Sequence, residues 1–491
     1  MRASLIQVTA ISVSLAGCTA ISGIADLREG SEATGGGTGD PSGQPHADGG
    51  AGGGSGTSEE GGGPNGSTHT LGVGDVRIFA GAGTTISSRM RRAGQTAWSP
   101  AVMEASLAGT LRFVIPFLDP KTFEENLAVQ YQTDAGSIVE VMRRTASGWG
   151  SEVTTPPMEN NHAAKRTFAV AMESSGDVLL VYAKSGSGVP VYRTRTVAGW
   201  SAETPVPLGG ATLGSVLWVD LASHPRSDEI TLAFSTTSAD LYVQTWTGSA
   251  WSMPSFAKLE DELTSTEFPS FALAYEASSG DVLVAWGRHY GTGWATRIDG
   301  SASFGPVHEV PEIRRATPLA PMRAVAEPGT DRIAFVWETC LRPPICDPDY
   351  RFVGAVWDGS AFVALENIDE YVGARYALRN GSMPVGVGWF DGTAIGVYRT
   401  NYPTRLRWTR WLGGNAWTAP EIVPISPPLG DEAQVSYATL STPSELLVVV
   451  ADLEHLWAKS YRKEGWANAD EGAPLFEFGV STGVPFGLLT R

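Results

Sequence analysis

The chain of 491 residues has three cysteines, seven histidines and fewer basic than acidic side chains, 35 against 52. The resulting formal charge of −17 lacks the basic face that a nucleic-acid footprint needs, and it disfavours adhesion to anionic lipid. The scattered histidines show no His-Glu-x-x-His spacing, and the pair Cys340 and Cys346 supplies fewer ligands than a metal site needs. No glycine loop of the phosphate-cradling type occurs, so the sequence implies no metal and no organic cofactor. No segment keeps a helical period over ten or more residues. What is abundant is turn and β material: 58 glycines and 16 tryptophans.

The N-terminus reads as an address. Met1-Arg2 supplies one positive charge, and a short apolar stretch follows from Ala3 to Gly17. It is too short to cross a bilayer, which takes about 20 apolar residues, and has the form of an export signal. Leu15-Ala16-Gly17-Cys18 resembles the lipobox of bacterial lipoproteins. That resemblance implies a signal peptide over 1–17 and lipid on Cys18, with the membrane as a partner. Thr19 rather than Asp after the cysteine implies the outer membrane of a Gram-negative envelope. From Gly30 to Gly66 there are 16 glycines in 37 residues, which cannot bury enough to offset chain entropy. A coil of that length averages about 35 Å end to end. The expected organisation is signal 1–17, lipidated cysteine and tether 18–69, and one folded domain over 70–491. Outside the cytoplasm, Cys340 and Cys346, five residues apart around Pro343-Pro344, are expected to form a disulfide.

Two markers recur through the folded part. A Gly/Ala/Ser turn ends in an aromatic at Trp98, Trp149, Trp200, Trp251, Phe304, Phe362, Trp417 and Trp466. A polar turn runs into an apolar strand at Asp75, Asn126, Asp177, Asp228, Asp281, Asp331, Asp391 and Glu445. Most spacings are 49–55 residues, and the two series stay in phase. Each repeat reads as four short strands, in the third repeat Thr167–Met172, Val178–Tyr182, Val191–Thr196 and one starting at Trp200. The expected fold is all-β, a propeller of about eight four-stranded blades. Seven blades remain the alternative if the 60-residue interval from Asp331 to Asp391 is not a true blade. The first repeat lacks its first strand, and Pro485–Thr490 is expected to supply it and close the ring.

The turns Gly248-Ser249-Ala250-Trp251, Gly359-Ser360-Ala361-Phe362 and Gly414-Asn415-Ala416-Trp417 resemble the Asp-box (BNR) repeats of sialidase-like propellers. The box has Asp two residues before its Gly; Trp246, Trp357 and Leu412 stand there. The turns are also similar to those of six-bladed fucose-binding fungal lectins. The Arg-Ile-Pro signature of sialidases is missing, Arg112-Phe113-Val114-Ile115-Pro116 being the nearest string, so no catalytic residue carries over. Gly479-Val480-Ser481-Thr482-Gly483 matches the hydrolase elbow but has no helix after it.

Hairpins between second and third strands share a propeller face with the links between blades. There the sequence places Arg288, His289, Tyr290, Glu338, Arg399, Tyr402, Asp452 and His455, side chains suited to forked hydrogen bonds and ring stacking on sugars. Trp294 and Trp408, off the aromatic register, are the expected exposed platforms; the register aromatics themselves are expected in the core. The reading is a monomeric, tethered propeller that recognises a glycan without catalysis. The alternatives are a protein-interaction scaffold of the envelope, and a glycoside hydrolase or polysaccharide lyase.

Overall fold

The computed structural model describes residues 71–158, 165–211, 213–288, 291–310, 317–318, 321–340, 349–372, 384–401, 404–424, 436–452, 454–467, 474–478 and 485–491. The signal, Cys18, the tether, Cys346, His289, Tyr290, Tyr402 and the 479–483 motif lie outside them.

The described residues form eight antiparallel sheets, each a blade of four strand positions, arranged as a β-propeller. Blade 3 matches the sequence reading almost residue for residue: Phe168–Met172, Val178–Tyr182, Val191–Thr196 and Gly199–Trp200. The long Asp331–Asp391 interval belongs to a complete blade 6, with Arg323–Ala326, Ile333–Cys340, Asp349–Trp357 and Glu366–Val372. Seven blades are thereby excluded.

The sequence specifies blades because both faces of each sheet are covered by neighbours. Leu446–Ala451 in blade 8 is apolar and buried at every position, as a two-sided core strand must be. Seven apolar clusters follow one another around the ring, each spanning adjoining blades. Glycine appears where a blade comes too close for a side chain. A Cβ on Gly388 would lie 2.5 Å from the Leu446 side chain of the next blade.

The ring closes as expected. Phe486–Thr490 pairs antiparallel with Val76–Ala82, from Val76↔Thr490 to Ala80↔Phe486, and becomes the inner strand of blade 1. Gly74 N–H donates to the Arg491 carbonyl at 2.8 Å, and the Thr490 hydroxyl to the Asp75 carbonyl at 2.8 Å. Leu488 and Leu489 from the tail enter the clusters on either side of blade 1. The described residues of all eight blades and the closing strand lie within 71–491.

Chain direction gives the ring two faces. The 1–2 and 3–4 turns lie on one, here called the turn face. The 2–3 hairpins and blade-to-blade links lie on the other, the hairpin face.

One platform expectation fails. Trp408 is buried, wedged against Tyr461 and Trp466 of blade 8 with ring centroids 5.1 and 5.4 Å away. The register aromatics close the joints between blades: Trp251 and Trp417 are buried, and the other six are half-buried against the core clusters.

Candidate functional site

Five of the eight hairpin-face candidates, Arg288, Glu338, Arg399, Asp452 and His455, lie among the described residues. Arg288 ends the strand Val282–Arg288 of blade 5, half-exposed, and donates from Nη1 to Glu309 Oε1 at 2.7 Å. Its Nε faces Glu260 of blade 4, which also accepts the Trp286 indole N–H at 3.0 Å and the N–H groups of Asp261 and Glu262. Glu338 and Arg399 are buried at 1% and 2% exposure, inside the ring and not at loop tips. Their opposite charges act on the buried Tyr437 phenol of blade 8, which burial holds well above its ordinary pKa. Asp452 is also buried; its Oδ1 accepts from the N–H groups of Glu454 and His455 at 2.8 and 2.7 Å, fixing its own hairpin. His455 is half-exposed and tilted against Trp457, 5.1 Å away. Cys340 ends the second strand of blade 6 opposite Tyr350.

On the turn face the structure shows a feature that strand patterning did not: a series of blade-to-blade latches. A side chain at the end of strand three or the start of strand four in one blade meets an acid or amide of the preceding blade. Trp246 donates to Glu173 Oε1 at 2.7 Å, and Trp357 to Glu276 Oε1 at 2.6 Å. Arg297 pairs with Glu229, and Arg91 with Glu445 across the closing seam. Arg195 donates to Asn126 at 2.9 Å. Trp149 and Trp200 donate to Glu104 and Glu152 at 2.8 and 3.0 Å. Burial pushes Glu173 up to about 7 and also raises Glu276, although the indole bonds pull both down. The polar marker has its reason here. Asp228 Oδ1 accepts the Ser175 N–H of blade 3 at 2.7 Å, and Asp331 Oδ1 accepts the Ser279 N–H of blade 5 at 2.6 Å.

A second buried cluster sits where inner strands meet. Arg166 of blade 3 pairs with Asp220 of blade 4 at 3.1 Å, and Arg323 of blade 6 adds its charge. Burial nevertheless pushes Asp220 up to about 6.

Among the described residues, a concavity combines volume with accessible chemistry. At joint 5/6, on the rim, a cleft of about 600 Å³ is lined by Trp294, His308, Glu309, Ser360, Phe362 and Asn415 among others. Trp294 stands in mid-strand, paired with His308 in the outer strand. The two rings stack at 4.3 Å and 22°. Trp357 and Phe362 of blade 6 back Trp294 at 5.0 and 6.0 Å. His308 and Glu309 are exposed, and Arg288 orients the Glu309 carboxylate. The result is an aromatic wall with carboxylate, imidazole, hydroxyl and amide groups beside it. Such a surface takes a ligand with one apolar face and several hydroxyls. Trp294 was legible as an off-register aromatic; His308 and Glu309 carried no signal, because a two-residue outer strand leaves no pattern.

No family model matches the chain, and no curated protein sequence matches it. The fold has solved counterparts. A lectin from Burkholderia pseudomallei superposes with a TM-score of 0.50 at 13% identity, over 74% of this chain and 99% of that one. The Aleuria aurantia lectin, described as a six-bladed propeller with a novel mode of fucose recognition, gives 0.32 at 12% identity, over 59% and 88%. An α-L-arabinofuranosidase of Fusarium graminearum, solved with arabinobiose, gives 0.33 at 12% identity, over 58% and 88%. The first likeness establishes a shared propeller architecture; the other two are too loose to carry an argument.

Proposed function

We propose that this protein is a lipid-anchored recognition module of the cell envelope whose propeller binds a glycan at joint 5/6. The observation that carries the reading is the Trp294–His308 stack lining an open cleft beside an oriented carboxylate. Sugars bind such surfaces by laying the C–H face of the ring on an aromatic while carboxylate and amide groups take the hydroxyls. The lectin of similar architecture supports the class of ligand without identifying it. Export and lipid on Cys18 rest on the N-terminal sequence, as does placement in an outer membrane; the Cys340–Cys346 disulfide follows from export.

The test is a broad glycan array probed with residues 70–491, followed by titration of any hit. Selective binding to one sugar class, weakened at least tenfold by Glu309→Gln, supports the reading. A blank array at high protein concentration rejects it and favours a protein-interaction scaffold. Turnover of a polysaccharide by the wild type would reject the non-catalytic part.

A further inference from the structure

In four blades the turn from strand one to strand two closes in the same way. The residue just after strand one donates its N–H to the carbonyl of the residue just before strand two. In blades 3, 5 and 6 these pairs are Glu173 with Asp177, Glu276 with Asp281 and Glu327 with Arg332. Each of the three carboxylates also accepts a hydroxyl of its own turn, from Ser175, Ser279 and Thr330. In blade 4 the same bond, to Glu229, is made by His224. Here an imidazole takes the carboxylate's place. Its Nδ1 accepts the N–H groups of Arg226 and Ser227, both at 3.0 Å. The neutral ring therefore carries its proton on Nε2, which faces Asp299 Oδ1 at 3.5 Å.

His224 is 2% exposed, and blade 5 clamps it. The Tyr275 ring meets it edge-on at 5.2 Å, and a Cβ on Gly280 would collide with Nε2. The turn that His224 holds ties blade 4 to both neighbours. Asp228 accepts the Ser174 hydroxyl and the Ser175 N–H of blade 3 at 2.8 and 2.7 Å. Arg226 donates to the Ser279 carbonyl of blade 5 at 2.7 Å. Glu229 pairs with Arg297 and accepts the Tyr275 hydroxyl, both of blade 5.

We propose that His224 is an acid-sensitive pin, whose protonation frees the 224–229 turn and loosens blade 4 from blades 3 and 5. The incoming proton must add at Nδ1, whose lone pair already serves two N–H groups. The new N–H would point at those donors, so the turn has to swing away before the charge is tolerated. Burial holds the His224 pKa below the ordinary 6.5, and Arg226 and Arg297 act in the same direction. Asp299, whose own N–H is held by Asp281, opposes them. Glu229 is engaged by Arg297 and Tyr275, and Asp228 faces blade 3. An opened turn binds the proton more readily than the closed one. The pin is therefore at full strength above pH 6.5 and weakens as pH falls below that value. Glu173 and Glu276, raised and not lowered, strengthen in acid, so a loss of protection there is not theirs.

Amide exchange followed by NMR on the full-length chain at pH 7.5 and pH 5, corrected for intrinsic rates, tests this. The amides of Arg226 and Ser227, and that of Ser175 through Asp228, should lose protection about tenfold in acid, the equivalent of one pKa unit. His224→Asn keeps an acceptor for the same two N–H groups, as in an Asx turn, and does not titrate. It should match the wild type at pH 7.5 and keep its protection at pH 5. No loss in the wild type, or an equal loss in the Asn variant, overturns the proposal. Should the variant fail to fold, the wild-type imidazole decides by itself. Its Nδ1 should gain a proton only in step with exposure of the Ser227 amide. An imidazole that titrates at the ordinary 6.5 while the Ser227 amide stays protected overturns the proposal as well.

Discussion

Joints 3/4 and 5/6 are two versions of one construction, and they differ where a ligand would sit. Both begin from the turn Ser-Ser-Gly-Asp-Val-Leu, at 174–179 and 278–283. Both hold that turn with an aspartate of the next blade, and both latch a buried glutamate to a tryptophan. Both place an aromatic residue in mid-strand three, Tyr192 or Trp294, against the next blade's aromatics. In joint 3/4 Tyr192 is opposed by Thr204, with Pro205 next, and Trp251 is buried over it. In joint 5/6 the same places hold His308, Glu309 and the smaller Phe362, and an open cleft results. The shared part carries stability. The difference is four side chains: Trp294, His308, Glu309 and Phe362 stand where joint 3/4 has Tyr192, Thr204, Pro205 and Trp251.

The largest effect should come from opening the ring, which both joints depend on equally. Deleting residues 485–491 removes the inner strand of blade 1 and leaves an unpaired edge. Loss of a single cooperative transition in calorimetry is expected, with joints 3/4 and 5/6 loosening together in hydrogen exchange. A joint that kept its protection would break the equivalence. Next come Asp228→Ala and Asp331→Ala, each stripping a turn of its acceptor at a matched position. Each should lose about 1–3 kcal/mol in urea denaturation, the range for leaving a part-buried donor unsatisfied. Unequal losses would show that one joint has drifted from the other.

The latch acids add a pH dependence with a definite sign. Glu173 has a folded pKa of about 7 against an ordinary 4.5. The folded state therefore holds a proton that the unfolded chain has already released. Its contribution is full below pH 4.5 and is lost as pH rises through about 7. Glu173→Gln keeps an oxygen for the Trp246 N–H and removes that slope. At pH 8 the variant should be more stable by about 1–2 kcal/mol, a discounted conversion of the shift, and at pH 4 nearly equal to the wild type. Glu276, raised in the same direction, should behave likewise in joint 5/6. Parallel wild-type and Gln curves in urea titrations from pH 4 to 8 would contradict this.

The blades were legible because periodic markers reflect periodic contacts. Asp177 and Asp281 sit in near-identical turns, and Asp228 and Asp331 are the acceptors holding those turns, so repeats and latches share one cause. The missing first strand and its supply by the tail followed from counting alone. The hairpin-face residues were less legible. Glu338, Arg399 and Asp452 read as wet loop tips because they are polar near strand ends, yet all three are buried. Strand ends in a propeller lie beside neighbouring blades, which sequence separation conceals. Trp408 and Trp294 share an off-register position, yet only Trp294 meets an open cleft. The distinction depends on Tyr461 and Trp466, one blade away from Trp408.

The smallest effect on stability should give the sharpest functional contrast. If joint 5/6 is joint 3/4 with a binding edge added, the edge should be transferable. Tyr192→Trp, Thr204→His and Pro205→Glu rebuild the Trp–His–Glu set where Tyr192 is half-buried and Thr204 and Pro205 are exposed. The two exposed changes, at Thr204 and Pro205, alter stability by about 0.5 kcal/mol or less each, and neither partner of the Glu173–Trp246 hydrogen bond is replaced. Phe at 251 completes the copy: Trp251→Phe reproduces the smaller Phe362 wall and trades packing for space. Titration calorimetry with a sugar that binds the wild type should then show two sites per chain instead of one. Glu309→Gln in the same background should remove the original site and leave the new one. An unchanged stoichiometry in a folded quadruple variant would mean that recognition needs more of joint 5/6 than this edge, with Ser360 and Asn415 on the far wall of the cleft the next residues to transfer.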